Sequence, residues 1–197
     1  MQQTIKTKMY QKPNKSSGFT LIELIVTVSI AAILMAMAIP SFVETIKSNR
    51  LTTYANEFVA ALNMARSEAI KRGVQVTMRR KGATSQVWEE GWDIFVDSDS
   101  SNAFNDDADT NLCETNADGS PSEDCLLRTY EALPSYTLRT GNSAYKDYAA
   151  YVSSGLSKSA AGETFRLCKG TDTTTSRAII INAVGRARVE TGASSCP

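Results

Sequence analysis

The chain opens with a largely polar and basic stretch of 18 residues and then turns abruptly apolar. From Leu21 to Ile39 there are 19 residues with a single charge, Glu23. At 1.5 Å per residue a helix over that run reaches ~29 Å, about the depth of a bilayer's hydrocarbon core. Beyond Pro40 the pattern changes. Leu51, Tyr54, Phe58, Leu62, Ala65 and Ala69 recur at three- and four-residue steps, while Asn56, Asn63, Arg66 and Lys71 fill the other faces. That spacing predicts an amphipathic helix with one stripe on a core. Pro40 removes one helical hydrogen bond and predicts a kink, not a stop. Gly73, just after Lys71 and Arg72, predicts a C-terminal cap. A single helix from Phe19 to Arg72 would be ~80 Å long, far more than a soluble domain of this size needs.

After Gly73 the period shortens to two. Strands are predicted at Val74–Met78, Trp92–Val96, Leu126–Tyr130, Tyr136–Leu138, Tyr148–Val152, Thr164–Cys168, Arg177–Asn182 and Arg186–Val189. They are rich in β-branched and aromatic residues and are separated by Gly, Ser, Thr, Asn and Asp. Residues 97–121 read as a long polar loop. One long helix followed by many strands is α+β, the helix packed on antiparallel sheet. Four segments result: a leader (1–18), a membrane helix (19–42), an amphipathic helix (43–73) and a β-rich domain (74–197).

Charge changes this picture in two ways. Overall, 21 Lys and Arg balance 21 Asp and Glu, which excludes a globally basic nucleic-acid binder. The distribution is uneven. Residues 89–125 hold 12 acids and no base, whereas Lys71, Arg72, Arg79, Arg80 and Lys81 form a run of bases without an acid. At the start, Lys6, Lys8, Lys12 and Lys15 are unopposed. Positive flanks stay cytoplasmic, so a single-pass anchor in the inner membrane with the domain in the periplasm is expected. In that setting Glu23 needs a reason, since a carboxylate near the bilayer centre costs on the order of 3 kcal/mol.

The chemistry is sparse. There is no histidine, so Ser-His-Asp and Cys-His nucleophiles are ruled out, and no phosphate-binding glycine loop is present. No enzyme activity, cofactor or metal is assigned. The four cysteines, Cys113, Cys125, Cys168 and Cys196, fit two disulfides in an exported domain. Of three connectivities, Cys113–Cys125 closes a short acidic loop and Cys168–Cys196 ties the tail to a strand; these are favoured. The acidic loop raises calcium, because Asp97, Asp99, Ser101 and Asn105 offer oxygens at alternating positions. Against it, Asn102 stands where an EF-hand loop needs Gly, and Ala108 where it needs Glu. A solvated, disulfide-stapled loop is the simpler expectation.

The stretch from Gly18 to Phe42, GFTLIELIVTVSIAAILMAMAIPSF, resembles the class III signal of type IV pilins and of type II secretion pseudopilins. An ordinary secretory signal is cut after its apolar segment. The resemblance implies cutting between Gly18 and Phe19, before that segment, by a prepilin peptidase, with N-methylation of Phe19. It also gives Glu23 its reason: the carboxylate pairs with the freed Phe19 amine of a neighbouring subunit during filament assembly.

A narrower resemblance rests on ARSEAIKRG (Ala65–Gly73), GWDIFVD (Gly91–Asp97) and Gly185-Arg186-Ala187-Arg188. In this order they resemble the GspH/FimT family of minor pilins and pseudopilins. That family implies an N-terminal helix on β-sheet, with other major and minor pilins and the inner-membrane assembly platform as partners. Its DNA-binding members imply that a GRxR tail grips double-stranded DNA in natural transformation. Residues two apart in an extended segment share a side, so Arg186 and Arg188 would present paired guanidiniums to phosphate, with Gly185 allowing close approach. Lys169, Arg177 and the Arg79–Lys81 run could extend the patch. The alternative within the family is a minor pseudopilin of a type II secretion system.

Overall fold

The computed structural model describes residues 18–105, 113, 115–117, 119, 122–141 and 143–197. The leader up to residue 17, and Ala108 with much of the acidic loop, lie outside the described residues. The chain divides into two compact units, one ending at Val43 and one covering Glu44–Pro197. A single helix, α1 (Leu21–Arg72), contributes to both and runs through Pro40.

In the first unit the helix begins just after Thr20. The Glu23 amide donates to Thr20 Oγ1 at 3.3 Å, and the Leu24 amide to Thr20 O at 3.2 Å. Thr20 is therefore the N-cap and Glu23 sits at the third helical position, the sequence spacing of a capping box. Polar side chains inside the apolar run satisfy themselves: Thr27 Oγ1 donates to Leu24 O at 2.9 Å and Ser29 Oγ to Ile25 O at 2.7 Å. Apolar side chains point outward all round, and none of them is buried. This is the composition and length of a membrane-spanning helix.

In the second unit α1 packs on eight strands: β1 (Val76–Arg80), β2 (Trp92–Val96), β3 (Cys125–Tyr130), β4 (Thr137–Arg139), β5 (Tyr148–Tyr151), β6 (Glu163–Cys168), β7 (Arg177–Ile181) and β8 (Ala187–Thr191). They form two four-stranded antiparallel sheets, ordered β3-β2-β1-β5 and β4-β6-β7-β8. The strands fall where the pattern places them, with ends moved by two residues at most. β1 is the clearest shift: it starts at Val76 and runs to Arg80, because Arg80 pairs with Trp92.

The helix meets the sheets along Leu51, Ala55, Phe58, Ala61, Leu62, Ala65 and Ala69, all buried. Ala55 and Ala61 widen the predicted stripe; their small side chains let the sheets approach the helix. Phe58 is the centre. Its ring lies 5.0 Å from Trp92 in the first sheet, 4.8 Å from Phe165 in the second, and 5.5 Å from Trp88. Trp88 belongs to no strand, yet it is fully buried, its Nε1 donating to Tyr145 O at 3.2 Å. Gly73 closes the helix with φ +72°, its amide donating to Ala69 O at 3.0 Å. Two disulfides tie the unit, Cys113–Cys125 and Cys168–Cys196, closing spans of 12 and 28 residues.

Candidate functional site

Two places carry the residues of functional interest: the start of α1 and the β7–β8 hairpin. At the first, Gly18, Phe19 and Thr20 precede the helix and are exposed, and the Phe19 side chain is 83% exposed. Glu23 lies one turn into α1 and is exposed. Its place in the first turn puts its carboxylate at the helix's positive end, which favours an anion there. That local role is a feature of Thr20-Leu-Ile-Glu23 that sequence reading can find by its spacing.

At the second place, the turn between β7 and β8 is built by Asn182 and Gly185. The Gly185 amide donates to Asn182 O at 2.8 Å, the Asn182 amide to Arg186 O at 3.0 Å, and Asn182 Oδ1 accepts the Arg186 amide at 2.8 Å. Gly185 is buried with φ +84°, and a Cβ there would lie 2.6 Å from the Tyr151 ring. Tyr151 Oη donates to Gly185 O at 2.9 Å. The room that Gly185 leaves is thus filled from inside, by Tyr151. Burial pushes the Tyr151 phenol pKa far up, so it stays a neutral donor.

Arg186 and Arg188 are both exposed, with Ala187 turned inward between them. Their electrostatics differ. Arg188 Nε donates to Glu190 Oε1 at 2.9 Å, so its charge is partly answered. The Arg186 guanidinium meets no acid among the described residues.

The other bases of the expected patch are elsewhere. Arg177 is 8% exposed, and its guanidinium donates to Ser48 Oγ and Thr52 Oγ1, both at 3.0 Å, and to the Thr175 and Ser176 carbonyls. It fastens β7 to α1 and is not open to a ligand. Register also separates it from the hairpin turn: Arg177 pairs with Thr191 and Ile181 with Ala187, roughly 13 Å apart along the strand. Lys169 sits at the Arg177 end, its Nζ donating to Ser135 O at 2.9 Å and lying over the Tyr136 ring. Arg79, Arg80 and Lys81 belong to the first sheet or its exit. Arg80 pairs with Asp147 at 2.7 Å, Lys81 with Asp93 at 3.6 Å, and Arg79 donates to Asn102 O. The structure therefore keeps Arg186 and Arg188 on one hairpin and engages Lys169, Arg177, Arg79, Arg80 and Lys81 with other partners.

Just after β2 and just before β3, two buried aspartates gather the described residues of the acidic segment. Asp97 Oδ2 accepts from Gln75 Nε2 (2.6 Å), Thr77 Oγ1 (2.7 Å) and the Asn102 amide (3.0 Å). Asp124 accepts from the Ser98 and Asn105 amides, both at 2.8 Å. Asp99 accepts from the Ser101 amide at 2.9 Å and from Asn105 Nδ2 at 3.1 Å. Sequence spacing groups Asp97, Asp99, Ser101 and Asn105 but misses Asp124, which arrives through the pairing of Val96 with Cys125.

An apolar helix capped at Thr20 and leading into a helix-on-sheet domain is the architecture of the pilin class. The family described as Type II transport protein GspH matches residues 54–185, and the prokaryotic N-terminal methylation motif matches residues 13–39. The chain belongs to the GspH family, a family of structural pilins and not of enzymes. Two crystal structures of the type IV minor pilin FimU from Pseudomonas aeruginosa PAO1 share the fold. One is 21% identical with a TM-score of 0.55, covering 76% of this chain and 96% of FimU. The other, in a second crystal form, is 20% identical with a TM-score of 0.53, covering 74% and 99%. No curated protein matches the chain. The GspH match ends at Gly185, so Arg186 and Arg188 lie just beyond it.

Proposed function

We propose that the chain is a minor subunit of a type IV pilus. A prepilin peptidase cuts between Gly18 and Phe19, Phe19 is N-methylated, and α1 anchors the subunit in the inner membrane with its domain in the periplasm. The assembly platform then moves it into the fibre beside major and minor pilins. The observation that carries this reading is the pairing of an N-methylation motif with a helix whose first half is apolar and unburied and whose second half packs on a GspH domain. Glu23 supplies the assembly contact, its carboxylate meeting the Phe19 amine of the next subunit. Glu23→Val removes a charge from the membrane segment, so membrane insertion is at least as good as in the parent. Incorporation into sheared fibres, read by immunoblot, falls to a small fraction; normal incorporation would refute the pairing. Co-purification with secretion machinery instead of fibres would favour the pseudopilin reading.

A DNA-binding role is the second reading, and exposed Arg186 with no acid opposite it among the described residues is what favours it. Contacts would be to phosphate, independent of base sequence and weakened by salt. Anisotropy titration of the detergent-solubilised protein with random duplex tests it. Arg186→Gln weakens binding strongly, Arg188→Gln less, and Glu190→Gln tightens it by freeing Arg188. Absent binding, or binding indifferent to Arg186, leaves the chain as a structural subunit.

A further inference from the structure

We propose that Asp97, Asp99 and Asp124 hold a calcium ion at the base of the β2–β3 loop. One carboxylate oxygen from each lies within 4.8 Å of the others. Three oxygens spread evenly around calcium at 2.3–2.6 Å stand roughly 4.0–4.5 Å apart, so the observed bound is compatible with one coordination sphere after small side-chain adjustment. Proximity of acids alone would mean little; two further features point to a cation.

The first is an orphaned atom. Asp97 is 1% exposed, and among the described residues its Oδ1 meets no hydrogen-bond donor although Oδ2 takes three. Left as a charge, a buried, unpartnered carboxylate oxygen beside two other carboxylates is unfavourable; a cation or a proton relieves it, and only the cation makes added calcium raise Tm.

The second is how nearby bases are used. Among the described residues none of the three carboxylates is in an ion pair, whereas Asp93, Asp147 and Asp172 each have one. Lys158 and Arg79 come to the same loop but bind neutral oxygens. Lys158 Nζ donates to Ser100 O and Asn102 Oδ1, and Arg79 to Asn102 O. Both hold the loop's neutral oxygens and leave the acids unanswered. Asp124 is 1% exposed and Asp99 exposed, so the cluster is walled on one side and open on the other. Oxygen donors from an irregular loop suit calcium, which tolerates varied geometry, over magnesium, which demands a near-ideal octahedron. The ion would join the start of the loop, Asp97 and Asp99, to its end, Asp124, next to the Cys113–Cys125 disulfide.

The test is calorimetry with CaCl2 and, separately, MgCl2 on the chelator-treated full-length protein in detergent, with thermal melts alongside. One saturable calcium site is expected, with Kd on the order of 10⁻⁴–10⁻³ M as in extracellular modules, and a rise in Tm with calcium. Magnesium binds more weakly. Asp99→Asn alters only an exposed side chain, melts like the chelated parent, and loses at least about tenfold in affinity. Asp97→Asn abolishes binding. Its amide oxygen can take the three donors of Oδ2 while its NH2 fills the place of Oδ1, so it melts no lower than the chelated parent. No saturable binding at millimolar calcium, binding unchanged in both variants, or magnesium binding as tightly would each overturn the assignment.

Discussion

Arg177 and Arg186 are nine residues apart and have opposite fates. Arg177 opens a central strand and reaches Ser48 and Thr52 on α1, whereas Arg186 leaves a turn and faces water. Removing the first strips donors from the buried Ser176 carbonyl and from the part-buried Thr175 carbonyl and Ser48 hydroxyl, where a fully buried acceptor left unmet costs about 1–3 kcal/mol. Arg177→Ala should therefore lower stability by about 2–3 kcal/mol in a denaturant titration, while Arg186→Gln stays within about 0.5 kcal/mol of the parent. An unchanged midpoint for Arg177→Ala would refute its fastening role. Both arginines look alike in sequence, each bordering a β-branched or small-residue run. What distinguishes them is a contact across 125 residues, which no local pattern encodes. Gly185 is similar: its spacing before Arg186 was legible, but its burial against Tyr151 depends on a strand from the other sheet. Gly185→Ala combines a positive φ with a 2.6 Å approach and should destabilise by about 1–3 kcal/mol without touching either arginine.

At the scale of elements, helix and strands were legible because their signals are local. A stripe at three- and four-residue steps needs only α1 itself, and period-two alternation needs only one strand. Pairing was not legible. Alternation says which face is buried but not which neighbour a strand takes, so eight strands on one sequence became two sheets only in the fold. Near residue 47 the helix is held to the domain by a charged clasp. Lys47 Nζ meets Asp172 Oδ2 at 2.7 Å, and Thr174 and Thr175 add donors to the same carboxylate. The hydrogen bond from Lys47, then those from the threonines, hold the Asp172 carboxyl well below the usual carboxylate range, and Asp172 raises the Lys47 ammonium in turn. The signs follow. A depressed carboxyl contributes stability that is present above its unfolded pKa of about 3.9 and lost as pH falls below it. The raised lysine contributes below about 10.4 and loses that contribution as pH climbs beyond. Melting curves of the parent and Asp172→Asn should differ at pH 7 and converge as pH is taken down through the acid range. A gap that persists at the lowest pH would mean that the hydroxyl contacts, not the charge, hold the clasp.

At the scale of the whole molecule, the two disulfides serve different parts of the second unit. Cys168 is fully buried at the end of a central strand, and its bond to Cys196 fixes the tail across 28 residues. Cys125 begins β3 beside Asp124, and its bond to Cys113 closes 12 residues of the acidic loop. Chain-entropy arguments give about 3.5 kcal/mol for the longer closure and about 3 kcal/mol for the shorter, nearly the same. Position should separate them. Losing Cys168–Cys196 frees the tail from the buried end of β6 and should lower the melting temperature of the whole unit. Losing Cys113–Cys125 frees one end of the segment that positions Asp124 relative to Asp97 and Asp99. The double variants Cys168→Ser/Cys196→Ser and Cys113→Ser/Cys125→Ser should then both melt earlier, but only the second should weaken calcium binding, by several-fold in calorimetry on the full-length protein. Equal affinities in the two variants would mean that the strand pairing of Val96 with Cys125 suffices to set the aspartates, with the disulfide a bystander to the site. A loss confined to the tail variant would place the ion's support in the wrong sheet and count against the cluster itself.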